Sequence, residues 1–78
     1  MDTLGWVYYK KGLYENAIAE FSECLDQMPD NATVSYHLGM AYYKKGDLEK
    51  ARSELKKALQ LDESFSGAEE ARSILAEL

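Results

Sequence analysis

Apolar positions along the chain recur with the 3.6-residue period of amphipathic helices, in five blocks divided by glycine, proline and polar turns. In the first block Leu4, Val7, Tyr8 and Lys11 share one face, and Gly12 ends the pattern. Tyr14, Ala17, Ile18, Phe21, Cys24 and Leu25 form the inward stripe of the second, which stops before Pro29. The third carries Leu38, Ala41 and Tyr42 inward and ends at Gly46. Asp30 or Asn31 is placed to cap it by accepting hydrogen bonds from free N–H groups. Asp47 is placed to cap the fourth, whose stripe is Leu48, Ala51, Leu55, Ala58 and Leu59. The fifth opens on the capping-box spacing of Ser66 and Glu69. Ala68, Ala71, Ile74, Leu75 and Leu78 lie on one side of it, with Glu69, Glu70, Arg72, Ser73 and Glu77 on the other. The pattern predicts helices over about 2–11, 14–28, 32–45, 48–61 and 66–77, and no strand.

The blocks also repeat. "LGWVYYKKG" at residues 4–12 returns as "LGMAYYKKG" at residues 38–46, a shift of 34. The same shift pairs Glu15 with Glu49, Ala17 with Ala51, Glu20 with Glu54 and Leu25 with Leu59, and it exchanges Phe21 for Leu55 and Cys24 for Ala58. Each unit is therefore a helical hairpin. The last block lies outside the repeat, and its polar outer side suits a helix that closes the final open core. Gly5 and Gly39 fall at one phase inside helices, where glycine costs about 1 kcal/mol relative to alanine. A close helix–helix approach is expected at that phase, whereas Gly67, in the first turn of the last helix, is expected to be unconstrained.

These residues resemble the tetratricopeptide repeat family, whose pattern is W-x2-L-G-x2-Y…A-x3-F…P. Leu4, Gly5, Tyr8, Ala17, Phe21 and Pro29 meet it in the first unit, and Leu38, Gly39, Tyr42 and Ala51 in the second. Met1 and Ser35 stand at the tryptophan positions, Leu55 replaces the aromatic, and Glu63 falls where a second proline would. The resemblance implies an all-α fold, a right-handed superhelix of helical hairpins with five helices in a single domain. Its expected division is repeat 1 over 1–31, repeat 2 over 32–65 and a C-terminal capping helix over 66–78. The first unit begins almost inside its helix. The chain thus reads as the C-terminal end of a longer array, with Met1 added for expression, against the alternative of a complete miniature protein.

For function the resemblance implies a scaffold that binds a protein or peptide segment, and no enzyme. In that family the outer side of each first helix lines a concave groove. Here that side carries Asp2, Thr3, Trp6, Tyr9 and Lys10 on the first helix. On the third it carries Thr33, Tyr36, His37, Met40, Tyr43 and Lys44. The implied partner-binding groove is Trp6, Tyr9, Lys10, Tyr36, His37, Met40, Tyr43 and Lys44. Its floor is expected to be partly exposed and to take apolar anchors accompanied by acidic groups. The alternative is that these rings pack on one another and on the terminal helix. One subclass of the family clamps a terminal carboxylate with Lys and Asn. The matching positions here hold Asp2, Trp6, His37, Gly67 and Ala71, none of them such a donor, which argues against that mode.

Charge and composition exclude more than they specify. A net charge of −5 argues against a nucleic-acid partner, which requires a concentrated basic face. No apolar run approaches the roughly 20 residues of a membrane span, so membrane insertion is not expected. No signal-peptide pattern opens the chain, and Cys24, the one cysteine, leaves the redox compartment open. His37 and Cys24 lie on different helices with no further His or Cys, so no metal site and no cofactor are expected. Glu15, Glu20, Glu23, Glu49 and Glu54 read as solvated helix surface beside lysines. A homo-oligomer is the competing functional reading, a structural module assembling with its own copies through an N-terminal face that carries Val7, Tyr14 and Ile18.

Overall fold

A computed structural model describes residues 3–78; the expectations placed on Met1 and Asp2, and on the Thr3 side chain, lie outside the described residues. Among the described residues there are five α-helices and no strand: α1 (Thr3–Lys10), α2 (Tyr14–Gln27), α3 (Ala32–Lys45), α4 (Leu48–Leu61) and α5 (Ala68–Glu77). The predicted ends agree to within two residues.

Turn chemistry explains the ends. Gly12 and Gly46 take positive φ of 81° and 98°, a left-handed backbone that side chains disfavour. The Gly46 N–H donates to the Tyr42 and Tyr43 carbonyls at 3.0 and 3.1 Å, closing α3. The start of α3 is capped by Asn31, whose Oδ1 accepts from the Val34 N–H at 3.1 Å. Asp47 caps α4 through the Lys50 N–H at 3.4 Å. α2 stops at Gln27, two residues before Pro29, which cannot continue a helix.

The helices then bury their stripes in sequence. Ala17, Phe21 and Leu25 of α2 meet Val34, Leu38 and Ala41 of α3 in one core cluster. Leu55 and Ala58 of α4 join Tyr36 and Met40 of α3 with Ala68, Ala71 and Ile74 of α5 in a second. Phe21 and Leu55, at matching repeat positions, are both fully buried. Ser35, which stands at the second unit's tryptophan position, is also fully buried, and its Oγ has no protein hydrogen-bond partner.

The structure departs from expectation at three places. Leu4, Val7 and Leu48 lie on predicted inward stripes yet are exposed, because nothing among the described residues covers α1 from the side away from α3, and Leu48 opens α4 beside the Gly46 turn. Ser66 does not cap α5; the helix starts at Ala68 with Gly67 at its N-cap and no side-chain cap. The reason is Phe65, which is buried against Tyr36 and draws the preceding chain into a turn closed by the Ala68 N–H on the Phe65 carbonyl at 3.0 Å. Gly67 is not unconstrained either. A Cβ there would overlap the buried Tyr36 ring, whereas at Gly39 it would meet Leu55 Cγ and Cδ2 at 2.9 Å and the Ala51 carbonyl at 3.3 Å.

Gly39 thus marks the close approach of α3 and α4, and Gly67 marks an equally tight seat for a ring. Gly67→Ala and Gly39→Ala should both lower stability by about 1–3 kcal/mol. The cost at Gly39 is partly offset by the roughly 1 kcal/mol that alanine gains inside a helix. Urea midpoints for the two variants test this, and a Gly67→Ala protein as stable as the parent would refute the seat. Ser35→Ala should raise stability by about 1 kcal/mol, since it removes a buried unpaired hydroxyl at nearly constant volume.

Candidate partner-binding groove

The helical period places Trp6 and Tyr9 one turn apart on α1, and Tyr36, His37, Met40 and Tyr43 on the facing side of α3. The structure joins most of them into one line of rings. Trp6 stacks on Tyr9 with centroids 4.8 Å apart and planes within 4°. His37 also stacks on Trp6, at 4.5 Å, carrying the line from α1 onto α3. Tyr36 lies 5.5 Å from His37, and Phe65 lies 5.4 Å from Tyr36. Tyr14 closes the opposite end edge-on to Tyr9 at 5.6 Å. The Lys10 ammonium sits 5.6 Å over the Trp6 ring, within cation–π range.

Burial divides the expected site in two. Trp6, Tyr9, His37 and Tyr43 are half-buried and Lys10 and Lys44 are exposed, as a groove floor with a basic margin requires. Tyr36 and Met40 are buried, contrary to the expected partial exposure, because α5 lies over them. The Tyr36 hydroxyl donates to Glu70 Oε1, and the Tyr43 hydroxyl makes a long hydrogen bond to Glu77 at 3.4 Å. Tyr43 also packs against the α5 cluster. The rings therefore do pack on one another and on the terminal helix, and the half that α1 dominates stays open.

Sequence reasoning missed Phe65, Glu70 and Glu77. The repeat contained the signal for the last two, since Glu70 and Glu77 stand one period of 34 beyond Tyr36 and Tyr43. α5 thus occupies the place of a third groove-lining helix and supplies carboxylates where the earlier helices supply rings.

The titrating groups follow from this burial. The Tyr36 hydroxyl is pushed well above its usual range by burial and then by its hydrogen bond to Glu70. Tyr9 is raised by burial, with smaller contributions from Tyr14 and Glu70. His37 is lowered by burial; Trp6, Phe21 and Tyr36 surround its ring, and Nδ1 is buried without a protein hydrogen-bond partner. Glu54 on α4 is raised by burial, partly opposed by Lys57. Among the described residues no group of three or more His, Cys, Asp or Glu side chains is arranged to hold a metal ion.

Stacked helical hairpins closed by a terminal helix define a helical-repeat scaffold. The profile of the TPR repeat matches residues 5–46 and that of the tetratricopeptide repeat matches residues 32–65, so the chain belongs to the tetratricopeptide repeat family. Such repeats serve in protein–protein interaction. No curated protein matches the chain significantly. No helix among the described residues is long and apolar enough to cross a membrane.

A base whose folded pKa lies below its free value binds its proton less readily in the native state. His37 therefore lowers stability as the pH falls from about 7 through its free value of about 6.5, toward its depressed folded value. Glu54 acts oppositely at lower pH, because a raised carboxyl takes its proton first in the native state. The parent should lose denaturant resistance between about pH 7 and about pH 5.5, and His37→Phe should lose markedly less over the same interval. Parallel titrations for both proteins would expose the idea as wrong.

Proposed function

We propose that the chain holds a segment of another protein on its concave side, over the open floor of Trp6, Tyr9, His37 and Tyr43. The observation that carries this reading is the Trp6–Tyr9–His37 stack. It is a rigid aromatic platform spanning α1 and α3 that stays half-open with a lysine seated above it. Rings held in place lose little entropy when they bind, and they anchor partner surfaces for that reason. Lys10 favours an acidic group near the α1 end, and Glu70 and Glu77 favour a cation near α5. The preferred segment therefore has an apolar or aromatic anchor flanked by acid on one side and base on the other. Chain self-association is the second reading, and the exposed Leu4 and Val7 speak for it.

The chain's single tryptophan is in the floor, so its emission reports directly on occupancy. Peptides selected from a displayed random library should shift Trp6 emission saturably. Tyr43→Ala and Lys10→Glu should weaken that binding at least about tenfold while far-UV helicity holds, as expected of anchors at a surface. Tyr42→Ala, half-buried in the α2–α3 cluster, should instead lower stability by about 2–4 kcal/mol with the binding chemistry intact. Selected binders that leave Trp6 emission unchanged would place the interaction elsewhere on the protein.

A further inference from the structure

Glu70 of α5 stands at a corner that α1 and α3 also form. Tyr36 of α3 donates its hydroxyl proton to Glu70 Oε1. Tyr9 of α1 packs against both core clusters, including the one that α5 completes. Its hydroxyl is raised first by burial, then by Tyr14 and by the Glu70 carboxylate, so the field of that carboxylate reaches across to α1. Tyr14 adds a third ring, edge-on to Tyr9 at 5.6 Å. Glu70 itself is exposed, and among the described residues no ion pair reaches it. Both arginines of the chain are held elsewhere. Arg52 donates to the Leu78 carbonyl at 2.8 Å, and Arg72 donates to the Glu63 carbonyl at 2.7 Å with Glu69 at 3.8 Å. Lys10 sits over Trp6 instead.

We propose, building on the groove reading, that this corner seats an arginine side chain of the bound segment, its guanidinium on the Glu70 carboxylate and against the Tyr9 and Tyr36 phenols. Tyr36 has committed its proton to Glu70, so its oxygen can only accept further hydrogen bonds, and both Glu70 oxygens accept as well. A seat made of acceptors calls for a donor, and one walled by rings calls for a flat, weakly hydrated cation. Guanidinium is both, with five N–H donors on a plane that stacks on aromatic rings. A lysine ammonium is a compact, strongly hydrated point charge and suits such a seat less well. The hydrogen bond from Tyr36 also holds the carboxylate in place, so little ordering remains to be imposed when the arginine arrives. Tyr43 holds Glu77 by a longer contact of 3.4 Å in exposed surroundings, which makes Glu77 the comparison for charge alone.

The probe is the peptide acetyl-Gly-Arg-Gly-Phe-Gly-amide, which joins an arginine to an aromatic anchor. Titrated into protein labelled at its tyrosine rings, it should move the Tyr36 and Tyr9 ring signals saturably. Replacing its arginine by citrulline, which keeps the shape and removes the charge, should weaken binding about fivefold or more. Lysine in its place should fall between the two. Glu70→Gln keeps an oxygen for the Tyr36 hydroxyl at an exposed position, so the fold should hold while binding falls by a similar factor. Glu77→Gln removes the same charge and should change binding less than about twofold. Tyrosine signals unmoved at about 10 mM peptide would overturn the proposal, as would a citrulline peptide that binds as well as the parent. A Glu77→Gln loss equal to that of Glu70→Gln would overturn it too, since it would report general attraction and no seat. The groove reading is judged by Trp6 emission with library peptides. Peptides that shift that emission and bind Glu70→Gln as tightly as the parent would refute the arginine seat and leave the groove standing.

Discussion

A helical hairpin has more apolar surface than its two helices can cover for each other, and the architecture follows from the need to cover the remainder. The stripe of α2 is closed by α3, and the stripe of α4 by α5. Each closure joins small residues to large ones, with Ala17 and Ala41 beside Phe21 and Leu38, and Ala58 and Ala71 beside Leu55 and Ile74. Small positions let helix axes approach, and large ones fill the space between them; dense interiors penalise either change. Gly39 takes this furthest, bringing the α3 backbone within reach of Leu55. A chain of this length buries a modest share of its surface, so each closure matters to the whole.

That dependence explains which features were legible from sequence alone. Helix ends are set by residues next to one another in the chain, so Gly46, Asn31 and Asp47 could be assigned without tertiary knowledge. Gly39 was legible because the repeat marks its phase twice. α5 falls outside the repeat, and its rotation about its own axis depends on Phe65 entering the core, which no periodicity announces. Gly67, Tyr36 and Met40 were misjudged for that one reason. Once Phe65 is buried, the α5 N-terminus settles on the Tyr36 ring, and only a residue without a Cβ fits beneath it. The exposure of Leu4 has a different origin, since nothing among the described residues covers that side of α1.

The interior holds polar groups that no protein partner satisfies. His37 Nδ1, Ser35 Oγ and Glu54 Oε1 are buried without protein hydrogen-bond partners, and each carries a desolvation cost. Trp6 forms the middle of the ring platform, and His37 carries it onto α3. An apolar side chain at position 37 would pack as well and remove the cost. Keeping an imidazole there instead gives the platform a flat, polarisable surface that Trp6 can stack upon and that loses stability when protonated.

In the proposed groove, charges would set selectivity more than strength. Lys10 and Lys44, like Glu70 and Glu77, are exposed, and exposed pairs contribute little individually and are screened beyond about 10 Å at 0.1 M salt. Tyr36 converts part of that weak field into geometry. Its hydroxyl donates to Glu70 at the border between the covered and open halves of the proposed groove and so orients the carboxylate. Orientation before binding removes an entropic cost that flexible surface carboxylates would otherwise incur. The helix that closes the core thereby also shapes the proposed groove: by covering Tyr36 and Met40 it shortens the aromatic floor, and Glu70 and Glu77 bring carboxylates to its α5 end.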